Sequence, residues 1–353
     1  MINIDKELQD ISFISDRFLC FDKNMFFYSN HSNNNNFDWS IVLSDNWELI
    51  DRNVLKEDDT HELSKGMNQL AYFKRDKSAI SISAIKINRE IDKDHWLIIK
   101  VLISNQDEIK KTLFKREKYL IGGEEEREQS GIITLSPNKK CISWISSYKD
   151  GDYIYTVHAS SDIDSFRNLK YEFLVALLTF KLLNSTNKKF AEDDKYFEIK
   201  SPFLFSFSYM DSWDMKFGGD KLENEQSIYL YNYNQGERKG LIFINTVLLG
   251  EISFHDCIRK TCLNVADKEK LHLSGFQILS DHNDSHEKFF CRSRAISIDG
   301  KFFDVFLRIF KLNQKVVVIG LLNVEFEKSK LWWWAVNNRA FQIICDSLYI
   351  EHG

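Results

Sequence analysis

The residues best suited to chemistry lie in one polar segment, positions 281 to 287, which holds His282 and His286 among carboxylates. Imidazole and carboxylate groups are common zinc ligands, and two histidines four positions apart share one face of a helix. Asn283 and Asp284, however, favour a turn over a helix at this place. We predict a solvated loop here, with a metal site at His282 and His286 as the alternative, and we expect no cofactor.

A base, an acid and a thiol are adjacent at His255, Asp256 and Cys257. Neighbouring side chains of a helix point about 100° apart, so this triplet cannot form a nucleophile relay by itself. The segment is predicted to be a helix with one buried cysteine. The sequence also lacks the serine-nucleophile elbow, the phosphate loop, the Rossmann glycine pattern and the His-Glu-x-x-His motif. We therefore expect a protein that is not an enzyme.

Three consecutive tryptophans, Trp332, Trp333 and Trp334, stand in the last predicted helix. Their side chains fan over roughly 200° of the helix, so one sheet cannot bury all three. With Trp334 on the face towards its own sheet, Trp332 and Trp333 point elsewhere. They either pack between the two halves of the chain or anchor another protein, since tryptophan is enriched in interface hot spots. Trp332 and Trp333 are the predicted partner-binding residues.

One pattern of alternating large residues occurs twice, at Phe37 to Trp47 and at Phe203 to Trp213. In both copies a large apolar residue fills every second position, and an aspartate and a tryptophan follow. This spacing predicts a strand with one buried face that runs into a turn. Trp47 and Trp213 are predicted core residues. Because the matching positions keep one constant offset, we predict that each copy opens one of two similar domains.

The elements that follow each copy come in the same order, with two strands, a helix, three more strands and a closing helix. In the first copy the predicted strands are 69–73, 79–87, 131–135, 141–148 and 153–159, and the helices are 96–109 and 165–183. In the second copy the strands are 227–233, 241–249, 289–298, 302–310 and 316–322, and the helices are 252–265 and 327–349. The acidic run at 124–128 is predicted to be a solvated loop.

The predicted domain organisation has four parts. Residues 1–36 are an N-terminal arm and polar loop, residues 37–184 the first domain, residues 185–201 a linker and residues 202–353 the second domain. Two domains suit a chain of 353 residues, which is longer than one core usually serves. Two such units in one chain would form a pseudo-dimer, and the protein is expected to be monomeric.

The composition of the chain limits the classes of partner and the cellular location that we expect. The net charge is −5 and no basic tract occurs, which argues against a nucleic-acid partner. Six dispersed cysteines without a Cys-x-x-Cys pair are typical of reduced thiols. The first ten residues carry acids where a signal peptide is basic and then apolar, and no long uncharged apolar run suggests a membrane span. The expected location is cytoplasmic.

Three motifs resemble a known fold. They are Phe-x-Trp-x-Ile-x-Leu-Ser-Asp-x-Trp at 37–47, Lys-Asp-Gly-Asp-Tyr-x-Tyr at 149–155 and Asp-Ser-Phe-Arg-Asn-Leu-Lys at 164–170. Together with the order of elements, they look like the PsbP-like fold, which includes the photosystem PsbP protein, the Ran-binding Mog protein and the EagR-type chaperones of type VI secretion. The resemblance implies an α+β fold of two tandem PsbP-like α/β sandwich domains, with antiparallel sheets covered by helices.

The resemblance to EagR-type chaperones also implies a function. In that family, two PsbP-like units cradle an apolar segment of a secreted effector, so the expected role is a chaperone or adaptor that binds a protein client in a groove between the two halves. One alternative is an immunity protein that blocks the active site of a toxin. The other is a metal-dependent enzyme with its site near His282 and His286.

Overall fold

The computed structural model of the chain describes residues 18–19, 25–30, 38–50, 67–104, 111–121, 125–136, 140–186, 188–200, 202–218, 225–250, 253–281 and 287–351. The fold is α+β, with largely antiparallel sheets and helices packed on them, as the sequence predicts. The chain forms two compact units. Unit 1 comprises Met1–Asn88 with Asp92–Ala191, and unit 2 comprises Arg89–Ile91 with Glu192–Gly353.

The described residues of unit 1 form two sheets and two helices. Its strands are β1 (Phe18–Leu19), β2 (Met25–Asn30), β3 (Trp39–Ser44), β4 (Glu48–Ile50), β5 (Met67–Arg75), β6 (Ser78–Lys86), β7 (Lys111–Ile121), β8 (Glu125–Ser136), β9 (Cys141–Asp150), β10 (Tyr153–Asp162) and β11 (Lys181–Leu182). The helices are α1 (Lys93–Ser104) and α2 (Ile163–Thr179). The larger sheet has the order β1-β7-β8-β9-β10-β6-β5-β4, and the smaller one β11-β3-β2.

Unit 2 repeats this plan. Its strands are β12 (Asp194–Ile199), β13 (Phe205–Met210), β14 (Trp213–Phe217), β15 (Glu225–Asn234), β16 (Glu237–Leu248), β17 (Leu271–Asp281), β18 (Glu287–Ser297), β19 (Phe302–Leu312), β20 (Lys315–Val324) and β21 (Tyr349–Ile350). The helices are α3 (Phe254–Glu269) and α4 (Leu331–Ser347), and a 3-10 turn, Lys328–Lys330, precedes α4. The larger sheet has the order β14-β15-β16-β20-β19-β18-β17, and the smaller one β12-β13-β21.

Individual hydrogen bonds are repeated as well. In unit 1 the Val42 amide donates to the Thr179 hydroxyl (3.0 Å), and in unit 2 the Ser208 amide donates to the Ser347 hydroxyl (2.9 Å). Each bond joins the opening strand to the last turn of the closing helix. Two further backbone pairs are equivalent between the units: Ile87 N to Asp152 O with Leu249 N to Gln314 O, and Leu183 N to Asp38 O with Glu351 N to Leu204 O. The duplication therefore extends to individual bonds.

The two repeated sequence stretches lie in the cores. Trp39 and Ile41 of β3 are buried, and they pack with residues of α2 that include Phe173. Trp47 and Trp213 are each 3% exposed, which confirms the prediction that both are core residues. The Trp47 indole donates to the Glu172 carboxylate (2.9 Å), which the Ser44 hydroxyl and the Arg75 guanidinium also contact. These donors hold the pKa of Glu172 below its usual value, against the desolvation of the carboxylate.

Side-chain caps begin two of the helices. The Asp162 carboxylate accepts from the amides of Asp164 and Ser165 at the start of α2. The Ser253 hydroxyl accepts from the Asp256 amide at the start of α3, and Lys270 closes that helix in the left-handed conformation, φ 55°. Three helices have other ends than predicted: α2 stops at Thr179, α3 continues to Glu269, and α4 starts only at Leu331. The predicted end of α1 lies outside the described residues.

The domain boundaries stay predictions, but three segments contain strands that the sequence analysis did not delimit. The predicted linker, 185–201, contains β12, which pairs with β13 along its whole length. The predicted N-terminal arm contains β2, which pairs with β3 in the equivalent way. The acidic run predicted as a loop begins β8 at Glu125, in register with β7. Backbone pairing with a distant strand decides these segments, and local composition does not carry that information.

Candidate partner-binding cleft

A cleft of about 830 Å³ opens at one end of the larger sheet of unit 2. Four pieces of chain meet there: the start of β16, the junction of α3 with β17, the turn between β18 and β19, and the connection from β20 to α4. The lining residues of these pieces are Glu237, Arg238 and Lys239; Glu269, Lys270 and Leu271; Ser297 to Phe303; and Val324, Glu325, Glu327, Ser329, Lys330 and Trp333.

Apolar side chains in this lining are open to solvent. Ile298 is 68% exposed and Phe302 is 47% exposed, on either side of the Gly300 turn. Trp333 lies in the same lining and is only partly buried. Gly300 has φ +76°, a conformation that favours glycine, and it turns the chain so that both apolar residues stay at the cleft. Large apolar side chains grouped in a concave surface are typical of binding sites.

Charged groups of both signs surround the apolar residues and pair with one another. Glu237 contacts Lys239 (2.5 Å), Glu327 contacts Lys330 (2.8 Å), and Arg238 contacts Glu269. The hydrogen bonds from the two lysines lower the pKa values of Glu237 and Glu327, so both carboxylates are ionised at neutral pH. The cleft thus combines apolar contact area with polar groups that can orient a ligand.

A buried amide cluster holds the helix that carries Trp333. Asn337, fully buried in α4, donates to the Asn323 side chain (2.8 Å) and to the Lys239 carbonyl (2.7 Å). The Asn232 amide donates to Asn337 (2.8 Å), and the Asn323 amide donates to the Trp334 carbonyl (3.0 Å). These bonds tie the first turns of α4 to β15, β16 and β20. The position of Trp333 is therefore set by a buried network.

The three tryptophans have different surroundings. Trp333 lines the cleft, whereas Trp332 is partly buried and does not belong to the lining. The ring of Trp334 meets Phe326 edge-on, with 4.8 Å between centroids. Trp334 is only partly buried, and the buried face of α4 is formed by other residues, which include Ala335 and Val336. The prediction for Trp334 thus holds only in part: its side chain is half-buried and packs against Phe326.

The sequence analysis did not identify Ile298 and Phe302 as binding residues, although the sequence around each of them indicates that its side chain is exposed. Phe302 and Phe303 are adjacent in β19, and successive side chains of a strand point to opposite faces. Phe303 packs against the core under α3, so Phe302 must face outwards. Ile298 precedes the Asp-Gly pair of a tight turn, a place where an apolar residue cannot be buried by its own hairpin.

The other candidate groups do not form a site in the described part of the chain. His282 and His286 lie outside the described residues. His255 and Asp256 are exposed on α3, and burial raises the pKa of the Cys257 thiol to about 11, so that it stays protonated. Among the residues that the structure describes, no three His, Cys, Asp or Glu side chains cluster as metal ligands do.

The described cysteines are reduced. Cys141, Cys257, Cys262 and Cys345 are present as thiols, and all but Cys141 are buried. Within the described ranges, no helix combines the length and the apolar character needed to cross a bilayer.

Comparisons with known proteins give structural similarity only. No protein-family model matches the chain, and no curated protein matches it. The solution structure of PsbP from the cyanobacterium Synechocystis is similar at 11% identity and a TM-score of 0.34, over 48% of this chain and 99% of that one.

The apo structure of the type VI secretion immunity protein TplEi from Pseudomonas aeruginosa is similar at 12% identity and a TM-score of 0.19, over 79% of this chain and 94% of that one. Its complex with the "L" peptide is similar at 10% identity and a TM-score of 0.20, with the same coverage of both chains. Similarities at this level carry no argument about the function of this chain.

Proposed function

We propose that this chain is a non-enzymatic protein-binding protein and that the Trp333 cleft of unit 2 holds a segment of its protein partner. One observation carries this proposal: Ile298, Phe302 and Trp333 meet in a cleft whose rim is made of ion pairs. A protein segment with apolar side chains would cover the exposed apolar surface, and its backbone and polar groups would meet the charged rim.

The free energies expected from burial of the cleft residues are large enough for specific recognition of a partner. Burial of a side chain such as Ile298 or Phe302 contributes roughly 1.5–3 kcal/mol. A central tryptophan held by a rigid support is a typical hot spot, whose truncation costs about 2 kcal/mol or more. The buried Asn337 cluster supplies such support for Trp333, because a preorganised side chain loses little freedom on binding.

The proposal has two versions, which differ in what the binding of the partner achieves. In the first, the chain is a chaperone or adaptor that shields an apolar client segment, as a protein of a type VI-like secretion system would for its effector. In the second, the chain is an immunity protein that blocks a toxin. A metal-dependent enzyme with a site at His282 and His286 has no supporting observation in the described residues.

A photo-cross-linking experiment tests the site. A benzoylphenylalanine replaces Ile298 in one variant and Leu263, which is 51% exposed on α3, in another. Both variants are expressed in the native host, irradiated, and analysed by mass spectrometry. We expect one protein to be cross-linked at position 298 and not at position 263. Equal cross-linking of that protein at both positions contradicts the proposal.

Affinity measurements with the purified cross-linked protein complete the test. We expect Trp333→Ala to weaken binding about 30-fold or more, and Trp332→Ala, the neighbouring tryptophan outside the lining, to change it less than about threefold. Thermal unfolding of both variants verifies that they are folded. Equal losses for the two variants would contradict a site at the cleft. Inhibition of a toxic activity of the partner identifies the immunity role, and protection of the partner from aggregation identifies the chaperone role.

A further inference from the structure

At one edge of the larger sheet in unit 1, a short extended segment pairs with the end of the neighbouring strand. That strand, β7, pairs with β8 on one side. On its other side it pairs in parallel with β1, and Phe18 lies opposite Leu120 and Leu19 opposite Ile121. All other strand pairs in the described part of the chain are antiparallel. The β1 segment is therefore an added strand at a sheet edge.

Unit 2 has the same edge, and among the described residues no added strand lies beside it. β17 takes the place of β7 in the equivalent sheet order and is the outermost strand of its seven-stranded sheet. It pairs with β18, and no strand within the described ranges pairs with its other side. An unpaired edge presents a row of backbone donors and acceptors to solvent.

The geometry of this edge allows pairing over part of its length. A bulge interrupts the register between Ser274 and Gln277. From Gln277 to Asp281 the register with β18 is regular. In unit 1 the added strand contacts the last two residues of β7, and the equivalent positions, Ser280 and Asp281, belong to the regular part of β17. The acceptor edge in unit 2 is thus Gln277–Asp281.

We propose that the β17 edge at Gln277–Asp281 binds an extended segment of another protein as a parallel eighth strand, in the place that β1 takes in unit 1. The added strand in unit 1 consists of the apolar residues Phe18 and Leu19, so we expect the bound segment to carry two adjacent apolar residues as well. Their side chains would point to opposite faces of the sheet. Main-chain hydrogen bonds supply affinity in this mode of recognition. This binding surface does not depend on the Trp333 cleft.

The parallel direction argues against a second copy of the chain as the occupant. Two β17 edges related by a two-fold axis would pair antiparallel, because an axis normal to the sheet reverses the strand direction. The internal repeat instead shows an extended segment laid parallel along this edge. A partner with an extended terminal or linker segment can adopt that geometry.

Hydrogen–deuterium exchange of the intact chain tests this inference with a defined probe. The probe is a synthetic peptide with the sequence of positions 14–23, in which serine replaces Cys20, added in millimolar excess. The control peptide carries N-methyl groups on the backbone nitrogens of positions 18, 20 and 22, which removes backbone donors and leaves the side chains intact. We expect the probe to slow exchange at 277–281 at least about fivefold and to leave β14, the opposite edge of the sheet, unchanged.

Three results of the exchange experiment would contradict the proposed strand addition. Absence of protection at 277–281 overturns the inference, and so does equal protection by the N-methylated peptide, since strand addition needs the backbone donors. Protection of 277–281 that rises with protein concentration in the absence of peptide identifies a second copy as the occupant and also contradicts the proposal. Trp333→Ala must leave the protection by the peptide unchanged, which separates this surface from the cleft.

Discussion

His158 is a buried titratable residue that makes the stability of unit 1 depend on pH. It lies in β10, opposite Ile145 of β9, and its Nε2 atom is buried without a hydrogen-bond partner in the described part of the chain. Burial, with a smaller contribution from the Lys100 ammonium group, lowers the pKa of His158 to about 4 from 6.5. The imidazole is therefore neutral in the folded protein at physiological pH.

This pKa shift predicts a loss of stability in mild acid. Between pH 6.5 and 4 the unfolded chain binds a proton at His158 that the folded chain does not, so the free energy of unfolding falls as the pH falls through this window. The total effect is about 3 kcal/mol, at about 1.36 kcal/mol for each pKa unit. Urea unfolding at about pH 7.5 and at about pH 4.5 should show that His158→Phe loses less stability on acidification than the wild type.

A matched control is His255→Phe, which changes an exposed histidine of α3. This variant should keep the pH dependence of the wild-type chain. If His158→Phe and the wild type lose equal stability between the two pH values, then His158 does not contribute to the acid sensitivity.

At the scale of elements, the packing of β16 against β20 depends on one glycine. Gly320 lies directly opposite Phe243 in the strand pair, and the aromatic ring covers it. A Cβ atom at position 320 would approach the ring to 2.0 Å. Phe243 is only 3% exposed, so its ring has little room to move. This contact lies in the centre of the sheet whose end forms the Trp333 cleft.

Gly320→Ala should therefore destabilise unit 2 by about 1–3 kcal/mol, the usual cost of overpacking a core. Gly250→Ala is the matched control, because a Cβ at position 250 meets nothing within 4 Å. Chemical unfolding, followed by tryptophan fluorescence, measures both variants. Equal stability of the two would show that the Phe243 ring moves aside at no cost.

The strands β7 and β17 show why some elements were not predicted from the sequence. β7 and β17 lack clear alternation of apolar residues, and both were missed, whereas the hairpins that follow them were found near their observed positions. The order of a sheet is set by pairing between distant segments, as when β16 pairs with β20 across α3. A periodic pattern indicates that a segment is a strand, but it does not show which strand this segment pairs with.

At the scale of the whole molecule, the chain is a duplication in which the units are not continuous in sequence. Residues Arg89–Ile91 lie between β6 and α1 but belong to unit 2. There the Glu90 carboxylate, 1% exposed, pairs with Arg339 of α4 (3.3 Å), and the Glu90 amide donates to Glu192 (2.8 Å). Unit 2 therefore includes a short piece of chain from far upstream.

We expect a fragment of residues 192–353 to fold by itself, because it contains all the strands of both sheets of unit 2. It should be less stable than unit 2 in the intact chain, since it lacks Glu90. Arg339→Gln should cost about 2–3 kcal/mol in the intact chain, where it removes a partner of a buried carboxylate, and close to nothing in the fragment. Circular dichroism during thermal unfolding of the four proteins measures the difference. Equal costs in both contexts would exclude a contribution from the Glu90–Arg339 pair.

The sequence alone determined the features that depend on local periodicity. The repeated Phe37–Trp47 and Phe203–Trp213 stretches predicted the duplication, and the buried positions of Trp47 and Trp213 followed from the same alternation. The order of the predicted strands and helices indicated the α+β class. Asp162 and Ser253 also cap their helices through bonds that extend only three residues along the chain, although the sequence analysis did not identify them. Such signals need no knowledge of distant segments.

The tertiary structure decided everything that depends on which distant segments meet. It grouped Ile298 and Phe302 with Trp333 in one cleft, and it left Trp332 outside. It also paired β1 with β7, while β17 kept an open edge within the described part of the chain. The physical reason is that these arrangements result from strand pairing and helix packing between segments far apart in the sequence. The free energies of those contacts are not encoded in any short window of residues.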